Sequence, residues 1–262
     1  MGFTLALAQC AHPQDGDVVA LVDAWARRAK VEGADLLVFP ESLMTPFELS
    51  VDEFKAAAQP LDGPFARSCN QVAREQGLWM VYTVNEANPA GGAPFNTAVV
   101  VDDRGERRGV YRKAHLFDVG SFRESDKMSA GGSIFEPLGT PFCTLGLGIC
   151  YDLRFPELAR KQALAGCELL VYPAAWVDGP GKVEQWQTLL RARAIENGIF
   201  VAGLSRTGGV YIGSSMVASP AGEVVALAGA GEELVLCSID ADQVAATQRA
   251  VPVLRHRRPE LY

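Results

Sequence analysis

The sequence predicts an α/β fold, a four-layer α-β-β-α sandwich with an internal pseudo-two-fold duplication, and three observations predict it. At 262 residues and 48% hydrophobic, the chain can bury one large core as a single domain over 1–262. Its first part, about 1–113, recurs in order over about 140–240. The stretches with helical periodicity each carry one apolar stripe, and such helices cover a sheet on one face only. Two sheets covered in that way must bury their other faces against one another.

The elements follow in order. The opening strand, Thr4-Leu5-Ala6-Leu7-Ala8-Gln9-Cys10, is repeated position by position by Thr144-Leu145-Gly146-Leu147-Gly148-Ile149-Cys150. A helix is predicted over about 17–32, with Val18, Leu21, Val22, Trp25 and Ala29 on its stripe; its counterpart covers about 156–165. Next comes Gly33-Ala34-Asp35-Leu36-Leu37-Val38-Phe39-Pro40, matched by Gly166-Cys167-Glu168-Leu169-Leu170-Val171-Tyr172-Pro173. In both, a glycine stops a helix and a proline ends an apolar strand. The second helices cover about 64–76, with Phe65, Cys69, Val72 and Ala73 inward, and about 183–197, with Val183, Trp186, Leu190 and Ala194 inward. The strands after them begin at Leu78-Trp79-Met80-Val81 and Ile199-Phe200-Val201, and each half closes on a strand, a turn and a strand. A tail of about 250–262 ends the chain.

Composition excludes several classes. The net charge of −7 argues against nucleic-acid and anionic-membrane partners, and the basic run Arg255-His256-Arg257-Arg258 reads as a solvated terminal face. No apolar run approaches membrane-spanning length, and no signal peptide is visible, so a cytoplasmic location is expected. Six scattered cysteines without a Cys-x-x-Cys pair read as reduced thiols, and the three histidines lack zinc-site spacing. Gly179-Pro180-Gly181-Lys182 lacks the context of a phosphate loop, and there is no Gly-x-Ser-x-Gly elbow. Neither a metal nor an organic cofactor is implied.

Candidate chemistry lies where the duplication fails. Both first strands end in Cys, but Cys10 precedes Ala-His-Pro and Cys150 precedes Tyr-Asp-Leu-Arg. Both second strands end in Pro, but Pro40 precedes Glu41 and Pro173 precedes Ala174-Ala175-Trp176. Cys150 thus stands at a strand-to-helix corner, where unpaired helical N–H groups are expected to lower a thiol's pKa and to supply oxyanion donors. If the carboxyl ends of the strands share a rim, Glu41, Cys150 and the Ala175-Trp176 loop meet there, with Lys113 in reach from the last strand of the first half. A nucleophile, a carboxylate and an ammonium in one pocket form a reactive set.

These residues resemble a known family. Pro40-Glu41, Tyr111-Arg112-Lys113-Ala114-His115-Leu116-Phe117 and Gly148-Ile149-Cys150-Tyr151-Asp152-Leu153-Arg154-Phe155-Pro156-Glu157 are similar to the three signatures of the nitrilase, or carbon–nitrogen hydrolase, superfamily. The resemblance spans the chain, through Leu190-Arg191-Ala192-Arg193-Ala194-Ile195-Glu196-Asn197 and into the tail that ends at Leu261-Tyr262. It implies the α-β-β-α sandwich, a homodimer formed through the helical face, Glu41 as general base, Lys113 as oxyanion stabiliser and Cys150 as nucleophile. Glu124 best matches a second, supporting glutamate, with Asp126 as the alternative.

Tyr151-Asp152, in place of the Trp-Glu that follows the nucleophile in nitrilases, points to an amide substrate. The nearest subgroup is the Nit-type amidases, whose substrates include 2-oxoglutaramate-like amides and deaminated glutathione. Arg154 is expected to hold a substrate carboxylate or to pair with Glu157, and Tyr151, Ala175, Trp176 and His115 complete the expected substrate-binding set. For His115 a structural hydrogen-bonding role is the preferred reading. Arg206-Thr207-Gly208-Gly209-Val210 is shorter than the corresponding loop of either group. Alternatives are a nitrilase, an N-carbamoyl amide hydrolase, a glutaminase domain lacking its synthetase, or a catalytically silent binding paralogue. The intact set of Glu41, Lys113, Glu124 and Cys150 speaks against the last.

Overall fold

A computed structural model of the chain describes residues 2–261; Met1 and Tyr262, which the sequence places before the opening strand and at the end of the tail, lie outside the described residues. The first half runs β1 (Gly2–Gln9), α1 (Val18–Val31), β2 (Leu36–Val38), α2 (Val51–Ala56), α3 (Pro64–Gln76), β3 (Trp79–Glu86), β4 (Phe95–Val101) and β5 (Arg107–Arg112). A small ribbon follows, β6 (Asp118–Val119) and β7 (Phe122–Arg123). The second half runs β8 (Leu138–Gly139), β9 (Thr144–Leu147), a 3₁₀ turn at Cys150–Arg154, α4 (Pro156–Leu164), β10 (Leu169–Ala174), α5 (Lys182–Asn197) and β11 (Phe200–Ser205). A second ribbon, β12 (Thr207–Gly208) and β13 (Tyr211–Ile212), precedes β14 (Met216–Ala218), β15 (Val224–Leu227), β16 (Glu233–Asp240) and α6 (Asp242–Ala250).

The four expected helices form within two residues of their predicted ends. Asp17 caps α1 by accepting from the Ala20 N–H at 2.9 Å, and Gly77 closes α3 in the left-handed region at φ 58°. Val183 departs from its expected inward place: it is 37% exposed, while Trp186, Leu190 and Ala194 of the same stripe are fully buried. It lies in the first turn of α5, before the helix meets the sheet.

Two six-stranded sheets have the orders β16-β1-β2-β3-β4-β5 and β15-β14-β11-β10-β9-β8. Reading the second backwards aligns β9 with β1, β10 with β2, β11 with β3, β14 with β4 and β15 with β5, which is the pseudo-two-fold duplication. Only β16 breaks sequence order. It follows the second sheet's strands but pairs antiparallel with β1, from Gly2↔Asp240 to Gln9↔Glu233. Its pseudo-symmetric counterpart, β8, is a two-residue strand against β9.

Alternation along β1 sorts its side chains into two layers. Leu5 and Leu7 join Leu145, Leu147 and Val171 between the sheets, and Ala6 and Ala8 face Val22, Ala26 and Cys69 of α1 and α3. The helices of the second half, through Leu158, Trp186 and Leu190, cover the second sheet. The result is the four-layer α-β-β-α arrangement. All six cysteines are free and buried. Among the described residues no helix is long and apolar enough to cross a membrane.

Candidate active site

The parallel strands β1, β2 and β9, β10 end at one rim, where the two halves meet. Glu41 leaves β2 through Phe39-Pro40, and Thr83 pins that corner: its hydroxyl donates to the Pro40 carbonyl at 2.9 Å and accepts from the Leu43 N–H at 3.1 Å. The neighbouring Ser42 sits at φ 56°, a strained conformation for a residue with a side chain, and Arg206 donates to its carbonyl at 2.8 Å. The Glu41 carboxylate is fully buried. Its Oε1 accepts from Asn96 Nδ2 at 2.7 Å and from Lys113 Nζ at 2.9 Å, and its Oε2 from the Ala175 N–H at 2.8 Å. The last bond joins the two corners that the duplication makes equivalent.

Lys113 follows β5, with its N–H on the Asn96 carbonyl and its carbonyl on the Gly131 N–H, both at 2.8 Å. Its ammonium, whose side chain has no exposure, also meets Glu124 Oε1 at 2.9 Å and Oε2 at 2.8 Å. Glu124 opens a 3₁₀ turn after the β6–β7 ribbon and is fixed by the Phe117 N–H at 2.8 Å. Burial alone would lower Lys113, but the charges of Glu124 and then Glu41 outweigh it and hold the ammonium well above its usual range. For Glu124 burial prevails over Lys113, and its carboxyl is raised.

Cys150 begins the 3₁₀ turn after β9 at φ 46°. Gly148 allows the approach to that turn, since a Cβ there would lie 2.4 Å from Cε1 of the fully buried Tyr172. Asp152, fully buried, ties the turn to the end of β5. Its Oδ2 accepts from the Ile149 N–H at 2.9 Å and the Tyr111 hydroxyl at 2.7 Å, and its Oδ1 from the His115 N–H at 3.0 Å. Tyr111 and His115 flank Lys113, so one carboxylate sets the position of nucleophile and ammonium together. The Cys150 thiol is pushed well above its usual value by burial first and then by Glu41, with Lys113 opposing. The sequence-based expectation of a lowered pKa is therefore overturned. A five-residue 3₁₀ turn offers little dipole against a dry pocket holding two carboxylates.

Glu41, Glu124 and Cys150 line a cleft of about 470 Å³, while Lys113, which bridges the two carboxylates, is enclosed and is not part of the lining. The structure brings Tyr151, Arg154, Ala175 and Trp176 into its lining along with Glu41, Glu124 and Cys150. Asp126 lines it too, but among the described residues makes no hydrogen bond or ion pair with Lys113. His115 is not brought into the lining: its Nδ1 lies 2.7 Å from Asp152 Oδ1 and its ring stacks on Phe155 at 3.6 Å. Arg154 lies in the turn ahead of α4; it donates to Gln185 Oε1 at 2.8 Å and sits 4.8 Å over the Trp176 ring, rather than pairing with Glu157. The short segment after Arg206 becomes the β12–β13 ribbon, which brings Val210 and Tyr211 to the rim.

Sequence reasoning missed Asn96, Asp152 as a hub, Phe117 and Lys182. Asp152 stood inside the Cys150 signature, and a buried acid two residues after a nucleophile was the available signal. Lys182 stands after Gly179-Pro180-Gly181, where no catalytic signature marks it. Among the described residues no group of three or more His, Cys, Asp or Glu could hold a metal ion.

Comparison with known proteins gives a consistent result. The family model described as Carbon-nitrogen hydrolase matches residues 4–249. Omega-amidase NIT2 from Homo sapiens is 36% identical over 273 residues, covering 99% of this chain and 96% of its own. Among solved structures, the Caenorhabditis elegans NitFhit protein superimposes with a TM-score of 0.91 at 32% identity; this chain is fully covered but spans only 66% of that longer protein. Nit3 from Saccharomyces cerevisiae gives a TM-score of 0.87 at 29% identity, covering 98% of this chain and 97% of its own. An amidase from Nesterenkonia sp. gives 0.80 at 29%, covering 99% and 94%. A glutamate-to-glutamine mutant of the amidase from Nesterenkonia sp. AN1 shows acrylamide added at its active-site cysteine.

Proposed function

The chain belongs to the carbon-nitrogen hydrolase family and is a hydrolase acting on amides, and on that premise we propose that it splits small carboxylate-bearing amides to the acid and ammonia through a thioester on Cys150. One observation carries the cysteine route: the Lys113 ammonium is held, fully buried, between Glu41 and Glu124 beside the Cys150 thiol. The active-site cysteine of the Nesterenkonia amidase supports it.

The thiol enters the cycle protonated, so it needs a base at the moment of attack. Glu41 takes that proton as Sγ bonds to the amide carbon, and the C=O electron pair moves to an oxyanion facing Lys113 Nζ. Glu41 then passes the proton to the nitrogen, the C–N bond breaks, ammonia leaves and a thioester remains. Water attacks the thioester carbon with Glu41 as base, and the returning proton restores the thiol as the acid departs. Glu124 keeps Lys113 charged and aimed. Arg154 takes the substrate's far carboxylate in a two-pronged pair, as the omega-amidase resemblance suggests for 2-oxoglutaramate-like amides. The homodimer and the cytoplasmic location implied by the sequence belong to the same proposal.

The test is ammonia release from succinamate and from an uncharged amide of equal length. Wild type should favour succinamate, Cys150→Ala should release none while remaining folded, and Arg154→Lys should raise KM for succinamate selectively. Substantial turnover by Cys150→Ala would remove the thioester route. Equal losses on both amides in Arg154→Lys would return Arg154 to a structural role.

A further inference from the structure

Two cations stand in the cleft without a carboxylate of the protein to neutralise them. Arg154 and Lys182 both line it, and among the described residues neither takes part in an ion pair. Each rests on an aromatic face: Arg154 lies 4.8 Å over Trp176, and Lys182 Nζ lies 5.7 Å over Phe117. The other basic residues of the lining are committed elsewhere. Lys127 Nζ donates to the carbonyls of Phe47 and Leu49 at 2.8 and 2.5 Å, and Arg123 faces Asp118 at 4.0 Å. Lys182 opens α5, at the helix end where the backbone dipole disfavours a cation, so helix stability does not account for its position.

The two aromatic shelves hang on different arms of the site. Trp176 follows Ala175, whose N–H holds Glu41, whereas the N–H of Phe117 itself holds Glu124. Lys113 bridges those two carboxylates, and Arg154, which donates to Gln185 Oε1 one turn along α5 from Lys182, brings the two cations to the same end of that helix. A cleft of about 470 Å³ is in the range that encloses drug-sized ligands, far more than a four-carbon amide acid fills. One carboxylate occupies Arg154 in the function proposed above and leaves Lys182 without a partner.

We propose that Lys182 is a second anion anchor, and that the substrate class is primary amides bearing two acidic groups, one for Arg154 and one for Lys182; this rests on Arg154 acting as the carboxylate clamp. The test compares kcat/KM for succinamoyl-aspartate, with two carboxylates, and succinamoyl-2-aminobutyrate, with one, with succinamate as reference. Wild type should prefer the diacid. In Lys182→Gln the diacid-to-monoacid ratio should fall about fivefold, the size of one half-buried ion pair, and Lys182→Arg should keep it.

An unchanged ratio in Lys182→Gln, an equal fall in Lys182→Arg, or a wild-type preference for the monoacid overturns the second anchor. Turnover of succinamate with neither extended amide does the same while leaving the carboxylate clamp in place. Turnover of uncharged amides but of none of these three overturns the clamp, and the second anchor with it.

Discussion

Lys113 sits where two opposing costs meet. An ammonium without solvent is expensive, and two carboxylates a few ångströms apart are also expensive, but together each relieves the other. Removing the ammonium leaves Glu41 and Glu124 facing one another and the developing oxyanion unopposed. Lys113→Ala should lower kcat/KM on succinamate by about 10²-fold or more, the scale of losing one oxyanion donor. Lys113→Arg should not restore it, because a planar fork cannot replace a point charge gripped on two sides. Near-normal rates in the alanine variant would leave Lys113 a structural charge. At this scale Glu41, Lys113 and Cys150 could be singled out because each stands in a compact run of sequence. Asn96 could not: its amide meets Glu41 across 55 positions, and nothing local marks it. The direction of the Cys150 shift was equally hidden, since it depends on how dry the pocket is and on two acids from other segments.

Among the elements, the β9-to-turn corner depends most on a single position. Gly148 passes Tyr172 with no room for a methyl group, and Tyr172 is fully enclosed and cannot swing away. Gly148→Ala should therefore cost about 1–3 kcal/mol in urea unfolding, the usual range for overpacking, and should reduce kcat by displacing Cys150. Unchanged stability and rate would mean that the corner has slack. The long elements were legible where 13 or 14 residues show a stripe clearly, as α3 and α1 do. The ribbons that bring Glu124 and Tyr211 to the cleft are two residues a side and carry no periodicity. Helix α2, too short to show a stripe, carries a different signal: Ser50 and Glu53 form a capping box, with the Ser50 N–H on Glu53 Oε2 at 2.9 Å.

For the whole molecule, the buried thiols set an alkaline limit. Burial raises Cys10 and Cys143 from 9.0 to about 12 and Cys237 to about 11. The unfolded chain loses these protons near pH 9 while the folded chain keeps them, so stability is fully present below pH 9 and falls as pH climbs towards 11 and 12. Each such thiol contributes a slope of about 1.4 kcal/mol per pH unit within that window. Melting temperatures measured under reducing conditions from pH 8 to 11 should hold below 9 and then drop steeply. A constant Tm up to pH 11 would contradict the enclosure of these thiols.

The pairing of β16 with β1 also has a consequence for how the chain comes off the ribosome. Strand β1 has one side without its partner until β16 emerges, more than two hundred residues later, whereas β8 reaches β9 almost at once. The half synthesised earlier is therefore the half completed later. Throughout translation it presents an open, apolar strand edge of the kind that invites association between nascent chains, and only the arrival of residues 233–240 closes it.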